Sequence, residues 1–179
     1  MKVISGIYKG RNIIGYNLNT TRPTMDRVKE SLFAILNPYL KDSIVLDLFS
    51  GTGNLGIEAL SNGAKYAYLV DCNKKAISNI KENITNIGIA NVNILLGDYK
   101  TILNNFNNKV DLVFLDPPYD TNYIELSIKL IIKNNILNKD GLIVCESDNL
   151  NKIVYGDDFE VIKNKKYGDK YIIILKYKG

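Results

Sequence analysis

Apolar positions along this 179-residue chain change rhythm as the sequence proceeds. Residues 3–18 alternate loosely around Gly6, Gly10 and Gly15, which predicts short strands or a hairpin. Thr24 then offers a helix cap. Val28, Leu32, Ile35 and Leu36 follow at helical spacing, and Pro38 is expected to close the element. From residue 44 onward the pattern is strand, loop, helix, repeated. Ile44–Phe49 is an apolar run broken only by Asp47, and a glycine-rich turn leads into a helix through Leu60 that Gly63 is placed to end. Ala67–Val70 predicts a short strand. Ala76, Ile77, Ile80, Ile84 and Ile87 line one face of a helix stopped by Gly88. Val92–Leu96, Val110–Leu115 and Leu142–Val144 predict further buried strands, with helices near 100–106 and 123–133. Two last strands, around 159–166 and 171–177, are joined by a turn containing Gly168-Asp169 and predict an antiparallel hairpin.

Strands alternating with helices give an α/β fold: a doubly wound, Rossmann-like sheet, mostly parallel, with an antiparallel C-terminal hairpin. Residues 1–41 are expected to form a small basic N-terminal extension, a hairpin and a helix, within the same unit as a domain over 42–179.

Composition narrows the chemistry mainly by what is missing. There is no histidine, which removes Ser-His-Asp triads, Cys-His pairs and His-ligated metals together. Two cysteines, Cys72 and Cys145, are too few for a four-cysteine metal site and give no disulfide framework, so a reducing, cytoplasmic compartment is expected. No apolar run approaches the ~18–20 residues of a membrane span, and no apolar stretch follows Met1-Lys2 as in a signal peptide. No metal and no membrane are therefore expected. The net charge of +4 is unevenly spread. Residues 1–41 carry Lys2, Lys9, Arg11, Arg22, Arg27, Lys29 and Lys41 against Asp26 and Glu30, a net of 7 − 2 = +5. All three arginines lie in this stretch, suited to fork-shaped hydrogen bonds with phosphate. A chance cluster on a solvated face is the plainer reading. A nucleic-acid footprint is the sharper one.

Three constellations carry chemistry. Asp47-Leu48-Phe49-Ser50-Gly51-Thr52-Gly53-Asn54-Leu55-Gly56 follows the first buried strand and contains G-x-G-x-x-G, which alone could mark a dinucleotide site or a tight turn with no ligand. Asp47 tips the balance. A carboxylate at that strand end suits the cationic amino and sulfonium groups of S-adenosylmethionine better than a diphosphate. The second constellation is the series of strand-end acids Asp47, Asp71, Asp98 and Asp116, expected to face one crevice at the carboxyl ends of the strands. Asp71, 20 residues after Gly51, is placed to grip two ribose hydroxyls, and Asp98 to accept from an adenine amine. Each acid taken singly could instead be a helix cap. The third is Asp116-Pro117-Pro118-Tyr119. Its carboxylate and stiff proline carbonyls can accept both hydrogens of an exocyclic amine, while the tyrosine offers a stacking face worth ~1–3 kcal/mol in nucleic-acid sites.

The loop, Asp71 and Asp116-Pro-Pro-Tyr119 resemble class I S-adenosylmethionine-dependent methyltransferases acting on amino nitrogens. Ser5-Gly6-x-Tyr8-Lys9-Gly10-Arg11, Arg22-Pro23-Thr24-x-x-Arg27-Val28-x-Glu30-x-Leu32-Phe33 and Tyr167-Gly168-Asp169-x-Tyr171 are similar to the RsmD family of 16S rRNA guanine-N2 methyltransferases. One departure is Asp71, where such families often show glutamate. The resemblance implies an rRNA methyltransferase with Asp116, Pro117, Pro118 and Tyr119 at the reacting amine. It implies Asp47, Phe49, Ser50, Gly51, Gly53, Asp71 and Asp98 at the cofactor, and a flipped-out guanine as acceptor. Lys9, Arg11, Arg22 and Arg27 are the residues expected to bind RNA. The partner it implies is 16S rRNA in a 30S particle or an assembly intermediate, met by a monomer. A DNA adenine or protein glutamine methyltransferase shares the loop and the Asp-Pro-Pro-Tyr motif, and a non-catalytic rRNA-binding assembly factor is the other alternative. A nicotinamide oxidoreductase is disfavoured by Asp47 together with Asp116-Pro-Pro-Tyr119.

Overall fold

The computed structural model describes residues 1–15, 23–119 and 121–179, with the backbone alone for residues 23–25. They fall into two compact units, Met1–Leu96 and Gly97–Gly179.

The first unit holds α1 (Pro23–Leu40), β1 (Ile44–Asp47), α2 (Asn54–Ser61), β2 (Tyr66–Asp71), α3 (Lys74–Ile87) and β3 (Val92–Leu96). Its strands are parallel in the order β3-β2-β1, with Asp47 beside Leu69 and Asp71 beside Leu96. β2 therefore reaches two residues further than β1, which brings Asp71 level with the loop after β1. Buried Leu46, Leu69, Ile57 and Ile80 form the core beneath that loop. The expected N-terminal hairpin is one antiparallel bridge, Lys2 with Asn12, turned by Gly6 and Gly10 at positive φ. Residues 16–18 of that expectation, and Arg22, lie outside the described residues.

Helix α1 corrects two expectations. It begins at Pro23, a favoured first helical residue, so Thr24 lies inside the helix instead of capping it. It also runs through Pro38 to Leu40. Pro38 and Ala34, four residues earlier, are both exposed, so the carbonyl that loses its N–H partner faces solvent. The helix continues because Leu36 and Leu40, on the opposite side, are fully buried.

The second unit holds α4 (Tyr99–Asn105), β4 (Val110–Leu115), α5 (Tyr123–Lys133), β5 (Leu137–Ser147), a 3₁₀ turn (Leu150–Lys152), β6 (Phe159–Tyr167) and β7 (Lys170–Tyr177). The sheet order is β4-β5-β7-β6: β4 and β5 are parallel, and β7 is antiparallel to both β5 and β6. β5 is much longer than the apolar run Leu142–Val144 suggested. Asn138-Lys139-Asp140-Gly141, with Asp140 at φ 63°, is absorbed as an irregularity between the Val110–Leu137 and Leu112–Leu142 pairs. The hairpin β6–β7 forms with the expected Gly168-Asp169 turn, and Gly168 takes φ 58°. Among the described residues no helix is long and apolar enough to cross a membrane.

Candidate active site

The loop between β1 and α2 is built by backbone hydrogen bonds that glycine geometry permits. Gly51 and Gly53 sit at φ 57° and 79°, where a side chain is strained. The Gly53 N–H donates to the Ser50 carbonyl at 2.7 Å, and the Ile57 N–H donates to the Gly53 carbonyl at 2.8 Å, starting α2. Gly56 lets α2 lie directly on β2: a Cβ there would stand 2.1 Å from a Leu69 methyl. Gly51 faces open space instead, with nothing within 4 Å of such an atom. One glycine serves packing and the other leaves the loop's outer surface clear.

Two carboxylates brace this loop. The Asp71 Oδ2 accepts the Gly51 N–H at 2.9 Å and its Oδ1 accepts the Asn73 N–H at 2.8 Å. Asp47 is buried, and its Oδ2 accepts the Gly56 N–H at 3.1 Å. Burial pushes the Asp47 carboxyl up to about 7; the Gly56 and Ser50 contacts oppose this and the Asp71 charge adds to it. Ser50 ties the loop to the neighbouring strand. Its N–H donates to the Val70 carbonyl, its Oγ accepts the Val70 N–H at 3.0 Å, and its hydroxyl donates to the Asp47 carbonyl at 2.8 Å. Phe49 is half-buried beside it.

Sequence reasoning missed two polar groups that fasten the N-terminal segment here. Asn83 is fully buried in the apolar stripe of α3. It accepts from the Ile14 N–H at 2.8 Å and donates to the carbonyls of Ile14 (2.9 Å) and Thr52 (3.0 Å), linking segment, helix and glycine loop. Glu58, fully buried on α2, accepts from the backbone N–H groups of Ile4 and Ser5 and pairs with Lys29 at 3.0 Å. The Lys29 ammonium also donates to the Lys2 carbonyl and to Asn54. A polar residue on an otherwise apolar helical face was the available signal in both cases. Lys29 counts toward the +5 of residues 1–41, yet its charge is internal. Lys9, Arg11 and Arg27 are exposed.

In the second unit Asp98 caps α4, its Oδ1 accepting the Lys100 N–H at 2.9 Å. Asp116 leaves the end of β4 half-buried, followed by buried Pro117 and exposed Pro118. The turn is pinned at three points. The Thr121 hydroxyl donates to the Pro118 carbonyl at 2.7 Å, the Lys152 ammonium donates to the Tyr119 carbonyl at 2.6 Å, and the Tyr119 hydroxyl donates to Glu146 at 3.1 Å. Lys170 pairs closely with the same Glu146 oxygen, and its ammonium lies 5.4 Å from the centre of the Tyr119 ring. Burial holds the Tyr119 phenol above its ordinary range. Burial works against the Lys170 charge, but hydrogen bonds to Glu146 and Tyr119 outweigh it, so its pKa lies above that of ordinary lysine. The structure thus brings Asp47, Ser50, Gly51, Gly53 and Asp71 together in the first unit. Asp116 and Tyr119 share their electrostatic surroundings in the second.

Residues 1–176 match the family model described as Conserved hypothetical protein 95. The chain is 38% identical to Ribosomal RNA small subunit methyltransferase D of Buchnera aphidicola, over 93% of this chain and 86% of that one. The chain belongs to the RsmD family. The like-named protein of Haemophilus influenzae is 33% identical over 94% of this chain and 89% of its own. The solved structure of Escherichia coli yhhF, a provisionally assigned methyltransferase, covers 100% of this chain and 98% of its own, at 28% identity and a TM-score of 0.91. That likeness shows the doubly wound methyltransferase fold expected from the strand–helix alternation. The RsmD-type groups now have definite surroundings. The Asp71 carboxylate set against the glycine loop disfavours a diphosphate there and suits a ligand that carries neutral ribose hydroxyls and a cationic group. S-adenosylmethionine meets that description, and the clear face of Gly51 leaves room for it.

Proposed function

We propose that this chain transfers the methyl group of S-adenosylmethionine to the exocyclic N2 of a guanine in 16S ribosomal RNA. The observation that carries the proposal is the pinned Asp116-Pro117-Pro118-Tyr119 turn at the end of β4, in a chain of the RsmD family. Bound S-adenosylmethionine supplies an electrophilic methyl group on a positively charged sulfur. Asp71 accepts hydrogen bonds from the ribose hydroxyls with lone pairs beyond those used by Gly51 and Asn73. Asp47 and Ser50 hold the loop's shape, Gly51 and Gly53 admit the ligand to the backbone, Phe49 offers it an apolar face, and Asp98 is the acid suited to accept from an adenine amine.

The amine of a guanine is a poor nucleophile because its lone pair is delocalised into the ring. Asp116 and the Pro117 carbonyl each accept one of its hydrogens and turn the remaining electron density toward the methyl group. Asp116 takes up the proton lost as the nitrogen–carbon bond forms and the carbon–sulfur bond breaks. Tyr119 stacks on the base, and Pro118 keeps the turn stiff. Acceleration comes mainly from holding two reactants in attack geometry. Lys9, Arg11, Arg22 and Arg27 meet rRNA phosphates. The protein acts as a cytoplasmic monomer on a 30S particle or assembly intermediate, and the free thiols Cys72 and Cys145 suit that reducing compartment.

Labelled S-adenosylmethionine offered with 30S particles, and separately with naked 16S rRNA, from cells lacking this protein tests the reading. Label recovered as N2-methylguanosine at one mapped nucleotide is expected. Label on DNA adenine or on protein glutamine would replace this reading with one of the other amino-group methyltransferases.

A further inference from the structure

Glu146 and Lys170 stand behind the Asp116–Tyr119 turn and have no part in the chemistry described above. Their placement follows from strand register. Glu146 pairs with Ile172 across the antiparallel β5–β7 ladder, and Lys170 lies two residues before Ile172, so both side chains project from one face. On the other side of β5, Leu115 pairs with Cys145, and the next step along β4 is Asp116. Asp116, Glu146 and Lys170 thus follow one another across three neighbouring strands.

The contacts bear this out. The Tyr119 hydroxyl donates to Glu146 Oε1 at 3.1 Å, and Lys170 binds the same oxygen with its ammonium 5.4 Å from the Tyr119 ring centre. A tyrosine used only for packing needs neither a carboxylate on its hydroxyl nor a cation over its ring. Together these fix both rotations of the side chain, and the Lys152 bond to the Tyr119 carbonyl fixes the backbone beneath it. We propose that Glu146 and Lys170 are positioning residues that hold the Tyr119 ring as a preset platform for the acceptor base, and so set the rate of methyl transfer. The proposal rests on the reading of Asp116–Tyr119 as the acceptor turn. Edge-strand lysines commonly serve only to prevent aggregation, but Lys170 lies on β7, between β5 and β6, and is half-buried.

Single-turnover methyl transfer to 30S particles from cells lacking this protein provides the test, with S-adenosylmethionine affinity measured by calorimetry on each variant. Tyr119→Phe, which deletes one oxygen, and Lys170→Met should each slow saturated transfer by about tenfold, in keeping with the cost of a misplaced reactant. Cofactor affinity and the RNA concentration for half-saturation should stay near wild type. Lys170→Arg should restore most of the rate. The double variant Tyr119→Phe with Lys170→Met should be no slower than the slower single, because both act through one ring. Wild-type rates for Tyr119→Phe and Lys170→Met beside an inactive Asp116→Ala would overturn the positioning role alone. An Asp116→Ala protein with wild-type rate would overturn the acceptor-turn reading itself. Equal losses in Lys170→Met and Lys170→Arg, together with weakened cofactor binding, would mark a merely structural role and also overturn the proposal.

Discussion

Asp71 shows how much one carboxylate can be asked to do. Its two oxygens already receive the N–H groups of Gly51 and Asn73, so it shapes the loop before any ligand arrives. Asp71→Ala should weaken S-adenosylmethionine binding by ~1.5–3 kcal/mol, the range for hydrogen bonds to a charged group, as read by calorimetry. Asp47 lies deeper, and its consequence is a pH dependence. Its carboxyl titrates near 7 in the folded protein against 3.8 when unperturbed, chiefly because burial disfavours the charge. The folded state therefore binds more protons than the unfolded chain between those values. The stabilisation from this group is complete below the unfolded pKa and is lost as pH rises through about 7. Asp47→Asn should remove that slope. The wild-type minus variant difference in unfolding free energy should fall by up to ~1.4 kcal/mol per pH unit across the window, measured by urea titration. Both acids were legible in the sequence because glycine turns and strand-end carboxylates are local signals. Glu58 and Asn83 were not, since their partners lie 54 and 69 residues away.

Most elements were also legible, because apolar spacing reports directly which face is buried. At Pro38 local punctuation is overruled by burial. Pro38 should have ended α1, yet buried Leu40 carries the helix past it. β5 begins at Leu137, ahead of the predicted run Leu142–Val144, because exposed Lys139 and Asp140 carry no apolar signal. What fastens α1 and the N-terminal segment to α2 is likewise a buried feature, the Lys29–Glu58 pair, whose side chains are 6% and 0% exposed. Removing one partner of such a pair leaves an uncompensated charge, and Lys29→Met should cost ~3–5 kcal/mol in denaturant unfolding. Lys29→Met combined with Glu58→Gln should recover part of that loss, because the orphaned charge is gone. Limited trypsin digestion gives an independent reading: cleavage after Lys9 and Arg11 should quicken in Lys29→Met as the segment loosens, and slow again in the double variant.

For the whole molecule, charge separates two kinds of cation that the sequence counts alike. Residues 1–41 hold seven basic side chains, but Lys29 is sealed into the Glu58 clamp, whereas Lys9, Arg11 and Arg27 face outward. An exposed cation on a phosphate releases a counterion when RNA binds; an internal one does not. Affinity for 16S rRNA measured across a salt series should therefore fall steeply, with log affinity linear in log salt. Each of Lys9→Ala, Arg11→Ala and Arg27→Ala should reduce that slope by about 0.7–0.9, the contribution of one phosphate contact. Lys29→Met should leave the slope unchanged while lowering the melting temperature. Arg22, outside the described residues, is the remaining arginine to place. A reduced slope at full stability would put it among the phosphate contacts, and lost stability at full slope would point instead to pairing with Glu30 of α1. S-adenosylmethionine affinity should stay near wild type in all the exposed-cation variants, since Asp47 and Asp71 are held by the backbone N–H groups of Gly56, Gly51 and Asn73. An unchanged salt slope in all three exposed variants would remove the N-terminal segment from RNA recognition.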